Sequence, residues 1–349
     1  MKKQNVLNLI KYHVERNENG FRNEAINIAR YFDSIGDDQL AEYIMSLIAE
    51  SNLYTPQGND FESEFLKQIE TRNVQPLYLP SVISEDIKGI INAVNHNIGI
   101  NKFLFEGMPG SGKTEAVKQV ARLLDRTLFY VDFENLIDSK LGQTNRNIAA
   151  LFSEINMLPQ PNKVVILFDE IDALALDRTN SNDLREMGRA TSTLLKCLDR
   201  LNENIVLVAT TNLFEWFDKA LSRRFDFIID FNRYTEEDLM DISEKMLNAY
   251  LDKMKLGGRD IRLFRKIMRL ANPIPYPGEL KNLLKTSIAF SDVNDGMDYF
   301  RRIYYSVCGE KPENLARLQE QGFTVREIEI LTKKSKSSVS RELKAGVTK

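Results

Sequence analysis

Apolar positions recur every third or fourth residue through the first fifty residues. Val6, Leu7, Ile10 and Val14 make one stripe, Phe21, Ala25, Ile28, Ala29 and Phe32 a second, and Leu40, Ile44, Leu47 and Ile48 a third. This spacing predicts three amphipathic helices, the last two parted by the turn "SIGDD". They form a helical domain over 1–55 that either packs for its own stability or docks a partner. The polar stretch "SNLYTPQGND" opens a span, 56–79, that reads as a linker.

From about residue 80 the pattern changes. Short apolar runs at Phe103–Phe105, Leu128–Val131, Val164–Phe168, Ile205–Ala209 and Phe227–Ile229 alternate with helical stretches. Each run precedes a polar or glycine-rich turn, which is the βαβ rhythm of a parallel sheet covered by helices. The predicted class is α/β, with a five-stranded parallel sheet over 80–232. A helical lid of 233–308 follows, broken by "NPIPYPG", and then a small C-terminal unit of 309–349. Ligands of such sheets bind at the carboxyl ends of the strands, so the residues just after each run carry the candidate chemistry.

Composition narrows the picture only slightly. The 349 residues include 43% hydrophobic and 28% charged, ordinary for a globular chain, with a net charge of −3. That balance opposes wholesale attachment to nucleic acid but permits a local basic patch. Two cysteines exclude a disulfide framework, and two histidines argue against a zinc site. The first residues carry charges within their apolar stretch and do not read as a signal peptide, and no apolar run is long enough to span a bilayer. A cytoplasmic location is expected.

The chemistry is concentrated in two motifs. Gly107-Met108-Pro109-Gly110-Ser111-Gly112-Lys113-Thr114 follows a predicted strand and opens a helix, the context a phosphate-binding P-loop requires. Its glycines let backbone N–H groups converge on phosphate oxygens, and the helix N-terminus adds favourable partial charge. Lys113 is expected to reach the β- and γ-phosphates of ATP, and the Thr114 hydroxyl to ligate Mg²⁺. In "VVILFDEID" a buried strand delivers Asp169 as a second Mg²⁺ ligand, followed by Glu170 to activate the attacking water.

Together these motifs resemble the Walker A and Walker B elements of AAA+ ATPases. "IVLVATTNLFEWFDKALSRRFD" is similar to that family's sensor 1 strand and arginine-finger segment. The resemblance, covering roughly 80–305, implies that Asn212 contacts the γ-phosphate or the attacking water. It also implies that Arg223 and Arg224 enter a neighbouring subunit's site, and so a ring, of six copies by family resemblance. "LPSVISEDI" lies where the family forms its adenine pocket, which points to Val82 and Ile83. "PGELKNLL" is similar to the sensor 2 region, where either Lys281 meets the γ-phosphate or the branch lacks such a residue. Lys140-Leu141-Gly142 matches the first pore loop of polypeptide-threading members, without their usual aromatic residue.

The C-terminal "FTVREIEILTKKSKSSVSREL" reads as a helix-turn-helix. Thr324 and Glu327 make a capping box, and Ile328, Leu331 and Val339 a small core. Lys336, Ser337, Ser340, Arg341 and Lys344 would face a DNA groove, although the same unit also serves to dock protein or simply to pack. The N-terminal helices with this core resemble bacterial ATPases paired with subtilisin-like serine proteases, some in anti-phage defence operons. No GxSxG or HExxH stretch occurs in this chain. The resemblance implies an ATP-driven remodeller of proteins with a protease partner. The alternatives are a DNA-binding ATPase that helps transposition or replication, and an ATP-gated assembly scaffold.

Overall fold

The computed structural model describes residues 3–14, 18–34, 37, 40–41, 44, 63, 65–71, 76–131, 136, 143–174, 181–216, 219–292 and 294–346. The chain divides into two compact units, Met1–Glu62 and Ser63–Lys349. In the first, helices α1 (Lys3–Val14) and α2 (Glu18–Ser34) pack together, with Ala25, Ile28 and Ala29 buried. Asn5 Nδ2 donates to Glu24 Oε1 at 2.7 Å, joining the two. Leu7 and Ile10 are more than half exposed. Most of the third predicted helix lies outside the described residues.

The second unit is built on a six-stranded sheet. Its strands are β1 (Leu66–Ile69), β2 (Lys102–Glu106), β3 (Thr127–Val131), β4 (Val164–Phe168), β5 (Val206–Thr211) and β6 (Phe227–Asp230). Their order is β1-β3-β4-β5-β2-β6, parallel throughout except for β1, which runs antiparallel to β3 at one edge. All five strands expected from the apolar runs are present. The sixth, β1, falls inside the span expected to be a linker, because "LKQI" alternates too briefly to be read as a strand. An antiparallel edge strand needs only one partner and few apolar positions.

Central strands show why the pattern was legible. Every residue of β4 is buried, as a strand covered on both faces demands. Ile166, Phe168, Leu104, Leu207 and Ala209 face one way, against helices α5 (Gln143–Asn156) and α6 (Ser181–Leu198). Val165, Leu167, Phe103, Phe105, Val206 and Val208 face the other, against α3 (Ser81–Asn95) and α4 (Lys113–Leu123). Truncating one such side chain to alanine costs roughly 2–5 kcal/mol.

Beyond the sheet, a short α7 (Lys219–Ser222) precedes β6. The lid consists of α8 (Glu236–Met254), α9 (Ile261–Met268), α10 (Pro277–Ala289) and α11 (Asp298–Cys308). The C-terminal helices α12 (Leu315–Glu320), α13 (Val325–Thr332) and α14 (Lys336–Gly346) do not stand apart from it. Leu315, Leu318, Phe323, Ile328, Leu331 and Val339 share one continuous core with Leu263, Phe264, Tyr299 and Phe300 of the lid. The division expected near residue 309 is therefore a turn within one packed body rather than a boundary between cores. No described helix is long and apolar enough to cross a membrane.

Candidate functional site

Strand order decides where the site forms. β2 lies between β5 and β6, and β5 lies beside β4, so the carboxyl ends of β2, β5 and β4 are neighbours. These ends deliver the P-loop, Asn212 and the Asp169–Glu170 pair into one cleft of about 490 Å³. That volume suits a nucleotide-sized ligand.

The loop after β2 is shaped for close approach. Gly107 has φ 149, and a Cβ there would lie 2.9 Å from the Phe231 Cβ, so only glycine fits. Gly107 N donates to Thr211 O at 3.2 Å and Met108 N to Asn232 Oδ1 at 2.8 Å, pinning the loop to β5 and to the turn after β6. Ser111 is fully buried, and its Oγ has no partner among the described residues, an orphaned polar group at the cradle.

Lys113 stands at the start of α4, only 6% exposed. Its Nζ donates to Gly107 O at 2.7 Å, to Met108 O at 3.0 Å and to Asn212 Oδ1 at 2.7 Å. Burial pulls its pKa below the ordinary lysine value, against the opposing pull of Asp169, Asp172 and Glu170. The three carboxylates favour the charged ammonium, and a phosphate oxygen brought within reach of Nζ would favour it further.

Thr114 Oγ1 donates to Asp169 Oδ1 at 2.9 Å, and Thr210 Oγ1 donates to the same oxygen at 2.6 Å. Thr210 Oγ1 also accepts from Glu170 N at 2.8 Å, which holds Glu170 in a left-handed backbone conformation, φ 52. Such a conformation costs a non-glycine residue of order 1–3 kcal/mol and is typical of functional positions. Asn212 Nδ2 then donates to Glu170 Oε1 at 3.2 Å. Since its Oδ1 accepts from Lys113, the orientation of the Asn212 amide is fixed by both neighbours.

The residues fit Mg²⁺ with a phosphate ligand. The Thr114 hydroxyl and the Asp169 carboxylate are adjacent hard oxygen donors, and among the described residues no group of three or more His, Cys, Asp or Glu could hold a metal unaided. Mg²⁺ characteristically takes one or two protein oxygens and completes its shell with phosphate and water.

Residues 103–233 match the family model "ATPase family associated with various cellular activities (AAA)". The chain carries an AAA ATPase domain. An uncharacterized AAA family ATPase, y4kL, of Sinorhizobium fredii is 39% identical over 133 residues, which is 38% of this chain and 39% of that one. A putative 26S proteasome regulatory subunit homolog of Methanothermobacter thermautotrophicus is 33% identical over 155 residues, 44% of this chain and 40% of that one. The matched region thus spans about 40% of the length of either relative. Among solved structures, a chain of the E. coli MS115-1 HORMA:CdnC:Trip13 complex superposes with TM-score 0.54 at 18% identity, over 69% of this chain and 95% of that one. At that identity the likeness is one of fold.

The AAA domain brings together Gly110, Lys113, Thr114, Asp169, Glu170 and Asn212, and the lid adds Lys281 from α10. Val82 and Ile83 are a correction. Helix α3 begins at Ser81, which leaves Val82 48% exposed and turns Ile83 inward with Ile87, Ile90 and Val94 to cover the sheet. Neither lines the cleft. Its apolar end is made instead by Leu77 and Tyr78, from the expected linker, and by Met246, Ala249 and Tyr250 of α8. Positions 246, 249, 250 and 253 follow helical spacing, the one sequence signal that marks this wall.

Arg223 and Arg224 lie outside their own chain's cleft. Arg223 is exposed, whereas Arg224 donates to Asp199 Oδ1 at 3.2 Å and to Ala220 O at 3.1 Å. Lys140, Leu141 and Gly142 fall outside the described residues. Lys336, Ser337, Ser340, Arg341 and Lys344 sit on α14, away from the nucleotide cleft. Missed by sequence reasoning were Thr210, whose only signal is a polar pair closing the apolar β5, and the lid's backbone contact. Gly278 N donates to Gly110 O at 2.8 Å, and a Cβ on Gly278 would lie 2.9 Å from Gly110 Cα. Tyr234 Oη donates to Ser111 O at 2.6 Å beside it.

Proposed function

We propose that this chain hydrolyses Mg-ATP within a ring of identical copies and uses the cycle to remodel a protein substrate. The observation that carries this reading is the linked set Lys113–Asn212–Glu170 beside Thr114–Asp169 in one cleft. Lys113 exchanges its backbone carbonyl acceptors for phosphate oxygens. Thr114 and Asp169 would hold Mg²⁺, which would supply Lewis-acid stabilisation of charge on the phosphate oxygens. Asn212 fixes the Glu170 carboxylate, and Glu170 takes a proton from the attacking water.

Among the described residues no arginine lines the cleft, although charge spreading over a transferring phosphoryl group is commonly met by one. Arg223, exposed on the segment after β5, is suited to supply it to a neighbouring copy. Arg224 is held by Asp199 and Ala220 and serves as its buttress. A contact between unlike surfaces that closes by rotation makes a ring, of six copies by family resemblance.

A protein substrate is favoured by the relative named as a proteasome regulatory subunit homolog. In the same reading the chain works with a separate protease partner, a subtilisin-like enzyme of a defence operon by resemblance. Its two free, half-buried cysteines suit a reducing cytoplasm. The test is subunit mixing. Arg223→Ala and Glu170→Gln proteins, each inactive alone, should regain ATP turnover when combined, because hybrid interfaces pair an intact Glu170 with an intact Arg223. Absence of recovery at every mixing ratio, with rings visible by mass measurement, would refute the shared site.

A further inference from the structure

The helix-turn-helix is left unused by the nucleotide chemistry. Helices α13 and α14 are joined by residues 333–335, with Lys333 left-handed at φ 59 and Ser335 Oγ accepting from Ser338 N at 3.3 Å. Thr324 and Glu327 close the capping box of α13. Ile328, Leu331 and Val339 are buried against α12 and the lid, so the unit is fixed from one side. The other side of α14 is open: Lys336, Ser337, Arg341 and Lys344 are exposed, and Ser340 is half-buried between them.

Two properties of that open side choose among partners. Among the described residues its only exposed apolar side chain is the small Ala345, whereas a helix face that docks protein presents large apolar anchors at helical spacing. It is also basic. Residues 311–349 contain nine Lys or Arg against five Asp or Glu, a net of +4, which leaves −7 on the rest of a chain whose total is −3. The basic surface continues past the turn into a cleft of about 1000 Å³ whose lining includes Arg302, Lys311, Lys333 and Lys334. Lys334 pairs with Glu342 in an exposed ion pair, and Lys333 with the half-buried Asp295. An exposed pair such as that of Lys334 is worth about 0–1 kcal/mol, so exchanging its carboxylate for a phosphate costs little.

We propose that this unit binds duplex DNA, with α14 seated in the major groove and Lys311, Lys333 and Lys334 on flanking phosphates. The major groove admits an α-helix, and the Arg341 guanidinium and the serine hydroxyls of α14 suit base edges and phosphates.

The experiment is fluorescence anisotropy of a labelled 30-bp duplex titrated with the full-length chain at several salt concentrations. The expected result is saturable binding at 50 mM salt that weakens with salt, with a log–log slope of roughly −3 to −5 for four or five phosphate contacts. Lys336→Glu combined with Arg341→Glu should weaken binding at least tenfold and flatten the slope by about two. Lys88→Glu combined with Lys196→Glu, the same charge change on distant exposed residues, should stay within twofold of wild type. Melting temperatures and basal ATP turnover of both variants should match wild type, confirming that they fold. The proposal is overturned by absence of duplex binding at 50 mM salt, or by equal losses in the two variants. Indifference to the α14 changes, or tighter binding of single-stranded DNA of the same length, would overturn it as well.

Discussion

The two walls of the nucleotide cleft are made by different means. On the sheet side, Lys113, Asp169, Glu170 and Asn212 follow strands held in parallel register, and hydrogen bonds tie their side chains to one another or to adjacent hydroxyls. On the lid side, Met246, Ala249, Tyr250, Lys253 and Lys281 come from α8 and α10. Hydrogen bonds from Gly278 and Tyr234 to the P-loop backbone join that wall to the first. On the proposed function, the sheet wall sets the chemistry and the lid wall sets the fit. Substitutions on the two sides should separate turnover from affinity.

The largest effect is expected at Lys113. Lys113→Ala removes the only described cation on the sheet wall of the cleft and leaves Asp169, Glu170 and Asp172 uncompensated. Steady-state phosphate release should fall about 10²–10³-fold or more, the usual effect of losing a donor aimed at developing charge. Activity within tenfold of wild type would end the assignment of chemistry to this wall.

Gly278→Ala tests the lid wall. Its Cβ would meet Gly110 Cα at 2.9 Å and Gly110 O at 3.1 Å, and backbone atoms yield little. A cost of about 1–3 kcal/mol is expected, weakening nucleotide affinity roughly five- to 150-fold while turnover at saturation changes far less. Equal losses in both quantities would show that the lid shapes the reaction as well as the fit. Tyr234→Phe removes only the bond to Ser111 O, about 0.5–1.5 kcal/mol, and should raise KM roughly two- to 13-fold with kcat intact.

The smallest effect concerns the support behind the lid. Glu327 accepts from Lys266 Nζ at 2.7 Å and from Thr324 N at 2.6 Å. Burial pushes its pKa up, but these donors outweigh burial and hold it below the ordinary glutamate value. A depressed carboxylate contributes stability above its unfolded pKa and loses it as pH falls through the folded one. Glu327→Gln should therefore lower the melting temperature by a few degrees at pH 7, for a cost of about 1 kcal/mol. The difference should vanish on acidification below the glutamate range, and a gap that stays constant to pH 3 would show that charge plays no part.

The same contrast explains what could be read from the chain. The five parallel strands were legible because residues buried on both faces must be apolar without interruption, as in β4. The phosphate motif was legible because backbone geometry demands glycine at fixed places, as at Gly107. The lid wall was not. Tyr78 reaches the cleft from a span with no regular pattern, and Gly278 matters through backbone contact with Gly110, a residue 168 positions earlier. Val82 and Ile83 misled because a helix begins one residue before them and its periodicity governs where they face. A capping box and buried Ile328, Leu331 and Val339 mark the C-terminal helices, but nothing local showed that their core is continuous with the lid's.

The most direct test of the account measures Mg-ATP affinity and turnover side by side on Glu170→Gln. The substitution keeps the shape and the Asn212 contact but removes the carboxylate proposed as the base, which stands on the left-handed backbone at position 170. Affinity should remain near that of wild type while turnover falls about 10²–10⁴-fold. Undiminished turnover, or loss of binding in step with activity, would contradict a cleft in which one set of residues holds the nucleotide and Glu170 starts its hydrolysis.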